Sequence, residues 1–395
     1  MNYTFSNKLA ALKPSAIREI FKSLADPTVI SFAAGNPAPE SFPVDDLARL
    51  SADIYAKSST PALQYGMTEG YAPLREAVAA RQKKIFGIGK DFDATIIVSG
   101  GQQGIELACK AFCNEGDTVI CENPTFIGAL NAFRSNGVNT VGVELHNDGI
   151  DPEELEKTIK ANPRAKLIYL IPTFQNPAGL TTSYEKRKKI YEVAKKYKMP
   201  IIEDNPYGEL RFAGTDIPTI KSFDDEGLVI YCSTFSKILS AGMRVGFVIA
   251  PEEIISKMVI AKQVEDVQTN QFFQMLCYRY MTECDIDGHV ADIRKIYRHK
   301  AELMIESLEK YLPKDIEFTR PEGGLFLWCT LPEKVDMNAF VKRAIENKVA
   351  VVPGTTFNCD TTAPSRCFRL NYSTPSDENI VKGCKILGET AREFI

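Results

Sequence analysis

The sequence predicts an α/β protein: a mostly parallel, seven-stranded sheet covered by helices, with a smaller α+β domain beside it. Three observations lead there. Seven short, β-branched apolar runs alternate with helical stretches. Several of those runs lack polar alternation, as strands buried on both faces do. Beyond Pro251 the pattern changes to long helical stretches and then a few strand-like runs. A chain of 395 residues suits two or three domains and can bury large cores. We expect an N-terminal arm with part of the small domain at 1–44, a large domain at 45–286 and a small domain at 287–395.

In chain order, Ser6 to Leu24 carries Leu9, Leu12, Ile17, Ile20, Phe21 and Leu24 at near-helical spacing, interrupted by Pro14. That predicts a short arm and then a helix. Ile30 to Pro37 reads as an extended run ending in a turn, and Pro37, Pro39 and Pro43 argue against regular structure there. A helix is expected over Pro73–Phe86, with Leu74, Val78 and Ile85 on one face. The expected strands of the large sheet are Thr95–Val98, Thr118–Cys121, Thr140–Val143, Lys166–Ile171, Pro200–Asp204, Leu228–Cys232 and Val245–Ala250. A helix over Tyr184–Tyr197 separates two of them. Glu252–Glu283 and Val290–Leu312 read as two long helical stretches, and Leu325–Cys329, Val349–Val352 and Cys367–Asn371 as strands of the small domain.

Composition narrows the function classes. Hydrophobic residues at 44% and charged residues at 25% exclude a disordered or fibrous chain. Lys plus Arg at 47 against Asp plus Glu at 51 gives no broad nucleic-acid surface. No apolar run approaches the ~18 residues of a membrane helix. Ten scattered cysteines with no CxxC pair, and three histidines, predict no metal site. They read as reduced thiols of a cytoplasmic protein, and the start of the chain carries no secretory signal.

Five clusters carry candidate chemistry. Ser99-Gly100-Gly101-Gln102 follows a strand and opens a helix, where free N–H groups and the dipole suit a phosphate. It matches neither the dinucleotide fingerprint nor the P-loop. Phe174-Gln175-Asn176-Pro177 sits at the carboxyl end of a strand, where α/β sheets bind ligands. Glu203-Asp204-Asn205-Pro206-Tyr207 ends another buried strand. A buried carboxylate there needs a cation or hydrogen-bond donors, or its pKa rises until it is neutral. Thr234-Phe235-Ser236-Lys237, followed by Arg244, offers hydroxyls and a guanidinium for a phosphate, and an amine made nucleophilic by neighbouring cations. Arg369 lies inside an apolar strand and must find an anion, best a carboxylate. Taken singly, each has a plainer reading: a tight turn, an Asn-Pro turn, a helix cap, a solvated lysine. Together they make the set that pyridoxal 5′-phosphate (PLP) requires.

The stretches AAGNPAPESFP, LQYGMTEGYAPLR, SGGQQGIEL, NPTFIGAL, PTFQNPAG, IIEDNPYGEL, STFSKILSAGMRVGF, PEGGLFLW and FRLNYS run in order through nearly the whole chain. In them the sequence resembles the fold-type I PLP-dependent class I/II aminotransferases, within the 2-aminoadipate/kynurenine/multi-substrate branch. The resemblance implies a homodimer with shared active sites, acting on an amino acid and a 2-oxo acid such as 2-oxoglutarate. It implies Lys237 as the lysine that bonds the cofactor, Asp204 on the ring nitrogen, and Asn176 and Tyr207 on the ring oxygen. Gly101, Gln102, Thr234, Ser236 and Arg244 would hold the phosphate, with Tyr65 reaching the partner's phosphate, and Phe126 would stack on the ring. Arg369, with Gly35 and Asn176, would take the substrate α-carboxylate, and Arg18 a distal one. Three positions depart from the family pattern: Phe126 where Tyr is frequent, Gly101 where Ser is, and Ala241 where Pro is. A C–S β-lyase shares the cofactor motifs. A PLP-sensing regulator would need an N-terminal helix-turn-helix module, for which the stretch before AAGNPAPESFP leaves no room.

Overall fold

The computed structural model describes residues 3–10 and 26–395. A large sheet of eight strands has the order β2-β9-β8-β7-β6-β3-β4-β5. Its strands are β2 (Asp93–Val98), β3 (Thr118–Asn123), β4 (Asn139–His146), β5 (Gly149–Ile150), β6 (Ala165–Leu170), β7 (Ile201–Asp204), β8 (Val229–Thr234) and β9 (Gly246–Pro251). All seven expected strands are present. The eighth, β5, is a two-residue edge strand that turns back antiparallel on β4 and is too short to stand out in the sequence. The neighbours from β8 through β7, β6 and β3 to β4 are parallel, whereas β9 runs antiparallel to both β8 and β2.

Neighbouring residues on one strand enter different cores because both faces are covered. Ile202 and Ile230 pack with Ile105, Leu130 and Met258, whereas Ile201 and Val229 pack with Leu155, Ile190 and Ala194. The covering helices include α1 (Val44–Leu63), α2 (Ala72–Phe86), α3 (Gly101–Phe112), α4 (Ile127–Ser135), α5 (Pro152–Ala161) and α6 (Tyr184–Tyr197). The expected helical stretch 252–283 is two helices, α7 (Glu252–Glu265) and α8 (Gln271–Glu283). Asp266 closes the first, Val267 has a φ of 66°, and the Asn270 side chain caps the second.

The long helix α9 (Ile286–Tyr311) leads to a four-stranded antiparallel sheet of order β10-β11-β14-β13. Its strands are β10 (Glu317–Phe318), β11 (Phe326–Thr330), β13 (Val352–Pro353) and β14 (Cys367–Asn371). Nearby, β1 (Ile30–Ser31) pairs in parallel with β12 (Val349–Ala350). Phe32 is clamped by bonds to Ala350 and Asn371, so the stretch 33–36 is carried by the C-terminal part of the chain.

Candidate active site

The carboxyl ends of β2, β3, β6, β7 and β8 open on one side of the large sheet, and the antiparallel β9 begins there. A cavity of about 480 Å³ lies at that end. Its wall brings together Gly35, Gly101, Gln102, Phe126, Asn176, Asp204, Tyr207, Thr234, Ser236, Lys237, Arg244 and Arg369. These are all the candidate residues except two. Tyr65 lies outside the cavity, 80% exposed on the loop after α1, and Arg18 lies outside the described residues.

Parallel pairing sets Asp204 opposite Cys232, so the ends of β7 and β8 lie side by side. Asp204 is buried and accepts a hydrogen bond of 2.7 Å from the Tyr169 hydroxyl on β6. Burial raises its carboxyl to about 7, against the pull of Tyr169 and Lys237. Directly after β8, a single 3₁₀ turn, Phe235–Lys237, lifts the Lys237 side chain into the cavity, where Nζ donates to Gly35 O at 2.8 Å. Burial, then the positive charges of Arg369 and Arg244, lower its amine to about 8.

Two residues before β9, Arg244 adopts a φ of 54°. Its guanidinium donates to Ser236 Oγ at 3.4 Å, Ala241 O at 3.3 Å and Ser99 O at 3.2 Å. Thr234 and Ser236 are linked through their hydroxyls at 2.8 Å. Facing them, α3 begins at Gly101 after Gly100, whose φ of 82° suits glycine. A Cβ at Gly101 would meet only Ser233 O and Thr234 Cβ, both at 3.9 Å. The N-terminal N–H groups of α3 thus stand beside two hydroxyls and a guanidinium, the chemistry of an anion cradle.

The opposite wall comes from the small sheet. Arg369 on β14 is buried, and burial lowers its guanidinium to about 10. It donates to Asn176 Oδ1 and Ala33 O, both at 2.7 Å. It lies over the rings of Phe326 and Phe357 at 4.2 and 5.0 Å. Asn176 in turn donates to the Tyr207 hydroxyl at 3.4 Å. Gln175, its neighbour, points away and ties the loop to Glu122 and Pro124 O.

Sequence reasoning missed Tyr169 and Glu122. Tyr169 sits in an apolar strand and reads as a core aromatic. Glu122, whose carboxyl burial raises to about 7, accepts from Ile171 N at 3.0 Å; it stands one residue past the expected end of its strand.

The sequence profile of the family "Aminotransferase class I and II" matches residues 27–387. The chain is 39% identical over 393 residues to aromatic-amino-acid aminotransferase 1 of Thermococcus litoralis, covering 98% of this chain and 94% of that one. It is 36% identical over 394 residues to 2-aminoadipate transaminase of Thermus thermophilus, covering 99% and 97%. Among solved structures, Pyrococcus horikoshii kynurenine aminotransferase, in complex with PMP, superposes with a TM-score of 0.94 at 39% identity, covering 98% of this chain and 97% of that one.

Proposed function

The chain belongs to the class I and II aminotransferases, and from that premise we propose that it moves an amino group from an aromatic, branched-chain, methionine or 2-aminoadipate-type amino acid to 2-oxoglutarate. The observation that carries the reading is one cavity holding the Lys237 amine, the buried Asp204 carboxylate, an anion cradle and the Arg369 guanidinium. The residues fit pyridoxal phosphate. Asp204 is a buried carboxylate whose charge a protonated ring nitrogen would stabilise. The cradle suits a phosphate dianion, and Arg369 Nε is buried with no hydrogen-bond partner among the described residues.

When bound, the cofactor supplies the carbonyl carbon that receives the amine and the ring that draws electron density from the substrate Cα. Lys237, lowered to about 8, has an appreciable unprotonated fraction near neutral pH. Its amine would hold the cofactor's carbonyl carbon and, once the substrate amine has taken that place, act as the base that moves the Cα proton. Asp204 holds the ring-nitrogen proton, while Asn176 and Tyr207 offer polar atoms to the ring oxygen. Arg369 orients the substrate carboxylate. Phe326, over whose ring Arg369 lies, faces the cavity and gives that wall an apolar side, which favours aromatic and aliphatic donors.

We assign the arm to 1–44, the large domain to 45–286 and the small domain to 287–395. The eight-stranded sheet falls within the second range and the four-stranded sheet within the third, which supports that division. A homodimer with shared sites accounts for the exposed Tyr55, Leu63, Tyr65, Met67, Ile260, Val264 and Val267. They lie along α1, the loop after it and the α7–α8 region, which touch through Asp53–Arg279 at 2.6 Å and a Gly66–Gln268 hydrogen bond. We place the chain in the cytoplasm, a reading that its ten free cysteines support. No described helix is long and apolar enough to cross a membrane.

The deciding experiment follows the absorbance of the PLP-loaded enzyme against a panel of amino acids with no oxo acid present. Single-turnover conversion by aromatic and 2-aminoadipate donors, reversed by 2-oxoglutarate, is the expected result. Release of ammonia and a thiol from cystathionine-like substrates, without conversion by the other donors, would replace this reading with a β-lyase.

A further inference from the structure

Behind the anion cradle, outside the cavity, a buried lysine pairs with a half-buried aspartate. Lys262, in the last turn of α7, is fully buried. A buried ammonium is costly unless it is paired and hydrogen-bonded. Its Nζ donates to Asp266 Oδ1 and Oδ2 at 2.8 and 2.9 Å and to Gln103 Oε1 at 2.8 Å. Asp266 also accepts from Ser99 Oγ and from Gln103 Nε2, each at 2.8 Å. Burial works against the charge on Asp266, yet the bonds from Lys262, Gln103 and Ser99 hold its carboxyl below the ordinary range.

Ser99 is the focus of this network. Its N–H donates to Gln103 Oε1 at 2.8 Å, its hydroxyl to Asp266, and its carbonyl accepts from Arg244. Every polar group of the residue is hydrogen-bonded. The next residue is Gly100, with its positive φ, and α3 starts at Gly101. Gln103, which bridges Ser99 to the ion pair, is itself in the first turn of α3. The direction of the first N–H groups of α3 is therefore set by where Ser99 and Gln103 are held.

We propose that Lys262 and Asp266 are positioning residues for the cofactor phosphate: through Ser99 and Gln103 they aim the start of α3 into the cavity. The break between α7 and α8 belongs to the same device, because Asp266 lies at the helix end and Thr269 Oγ1 stands 3.1 Å from Ser99 Oγ. The proposal rests on the cofactor reading above.

The test titrates the full-length, cofactor-stripped chain with PLP and, separately, with pyridoxal, which lacks the phosphate. Two variants are compared with the unchanged protein, and the absorbance of the Lys237-bound cofactor is read. Lys262→Met removes the charge at similar length, whereas Ser99→Ala keeps the ion pair and removes only the hydroxyl at the cradle. PLP affinity is expected to fall about tenfold or more in Lys262→Met and about threefold or more in Ser99→Ala. Pyridoxal affinity should stay unchanged in both. Equal losses for PLP and pyridoxal would overturn the proposal, since the pair would then support only the fold. Unchanged PLP affinity in both variants would also overturn it. If Lys262→Met does not fold, Ser99→Ala decides alone by the same comparison. Failure of the unchanged protein to bind either compound through Lys237 would overturn the cofactor reading itself, and this proposal with it.

Discussion

Asp204 is held near 7 rather than at its ordinary 3.8, with burial as the first cause and the Tyr169 hydroxyl opposing it. The folded chain without cofactor therefore keeps this proton more tightly than the unfolded chain. This contribution to stability is present at low pH and is lost as pH rises through 7. Asp204→Asn should accordingly raise the melting temperature of the cofactor-free chain at about pH 8, with the gap closing towards about pH 4. The same variant should lower transamination by orders of magnitude. A lower melting temperature at the higher pH would mean that the carboxylate is satisfied without a bound cation. Tyr169→Phe tests the other side of the contact. Losing one hydrogen bond to a charged group should cut kcat about tenfold and leave KM nearly unchanged. Steady-state kinetics with a saturating donor check this, and an effect confined to KM would argue that Tyr169 only packs. Lys237→Ala should remove transamination while the phosphate still binds, and normal turnover in that variant would end the proposed mechanism.

Among the elements, the loop carrying Asn176 depends on α6. Arg187 on that helix is fully buried and donates to Thr182 O, Pro172 O, Pro218 O and Thr173 Oγ1 at 2.7–3.0 Å. It clasps both ends of the loop after β6. Arg187→Met would leave several buried carbonyls without donors, and urea unfolding should report a loss of about 3 kcal/mol. A change within experimental error would show that the loop closes without it. The helix α6 was legible because its bounds coincide with a clear helical pattern, and the buried strands were legible as short β-branched runs. The role of Arg187 was not, since an arginine among the lysines of YEKRKK reads as solvent-facing. The α7–α8 break was hidden for a related reason: the stretch EDVQTN has neither glycine nor proline to mark it. Helix α1 escaped notice because only Leu50, Ile54 and Ala62 are buried along its 20 residues, and Ser58 and Pro61 disturb its end. Of the site, the motif residues were legible because loops at strand ends display them. Tyr169 and Lys262 were not, because their partners are brought close only by pairing and packing.

For the whole molecule, the exposed apolar side chains around Tyr65 predict a dimer at assay concentration, checked by sedimentation. Mixing Lys237→Ala with an inactivating Tyr65 variant should restore part of the activity in the mixed dimer, and a monomer would contradict both expectations. One further consequence follows from the way the cavity is divided between two sheets. Lys237, Asp204 and the cradle belong to the eight-stranded sheet, whereas Arg369, Phe326 and the stretch around Gly35 are carried by the C-terminal one. With the roles proposed above, cofactor chemistry and donor choice are written on separate pieces of architecture. A lineage, or an engineer, can vary the wall at Phe326 to recruit new amino acids while the proposed reacting machinery is inherited unchanged.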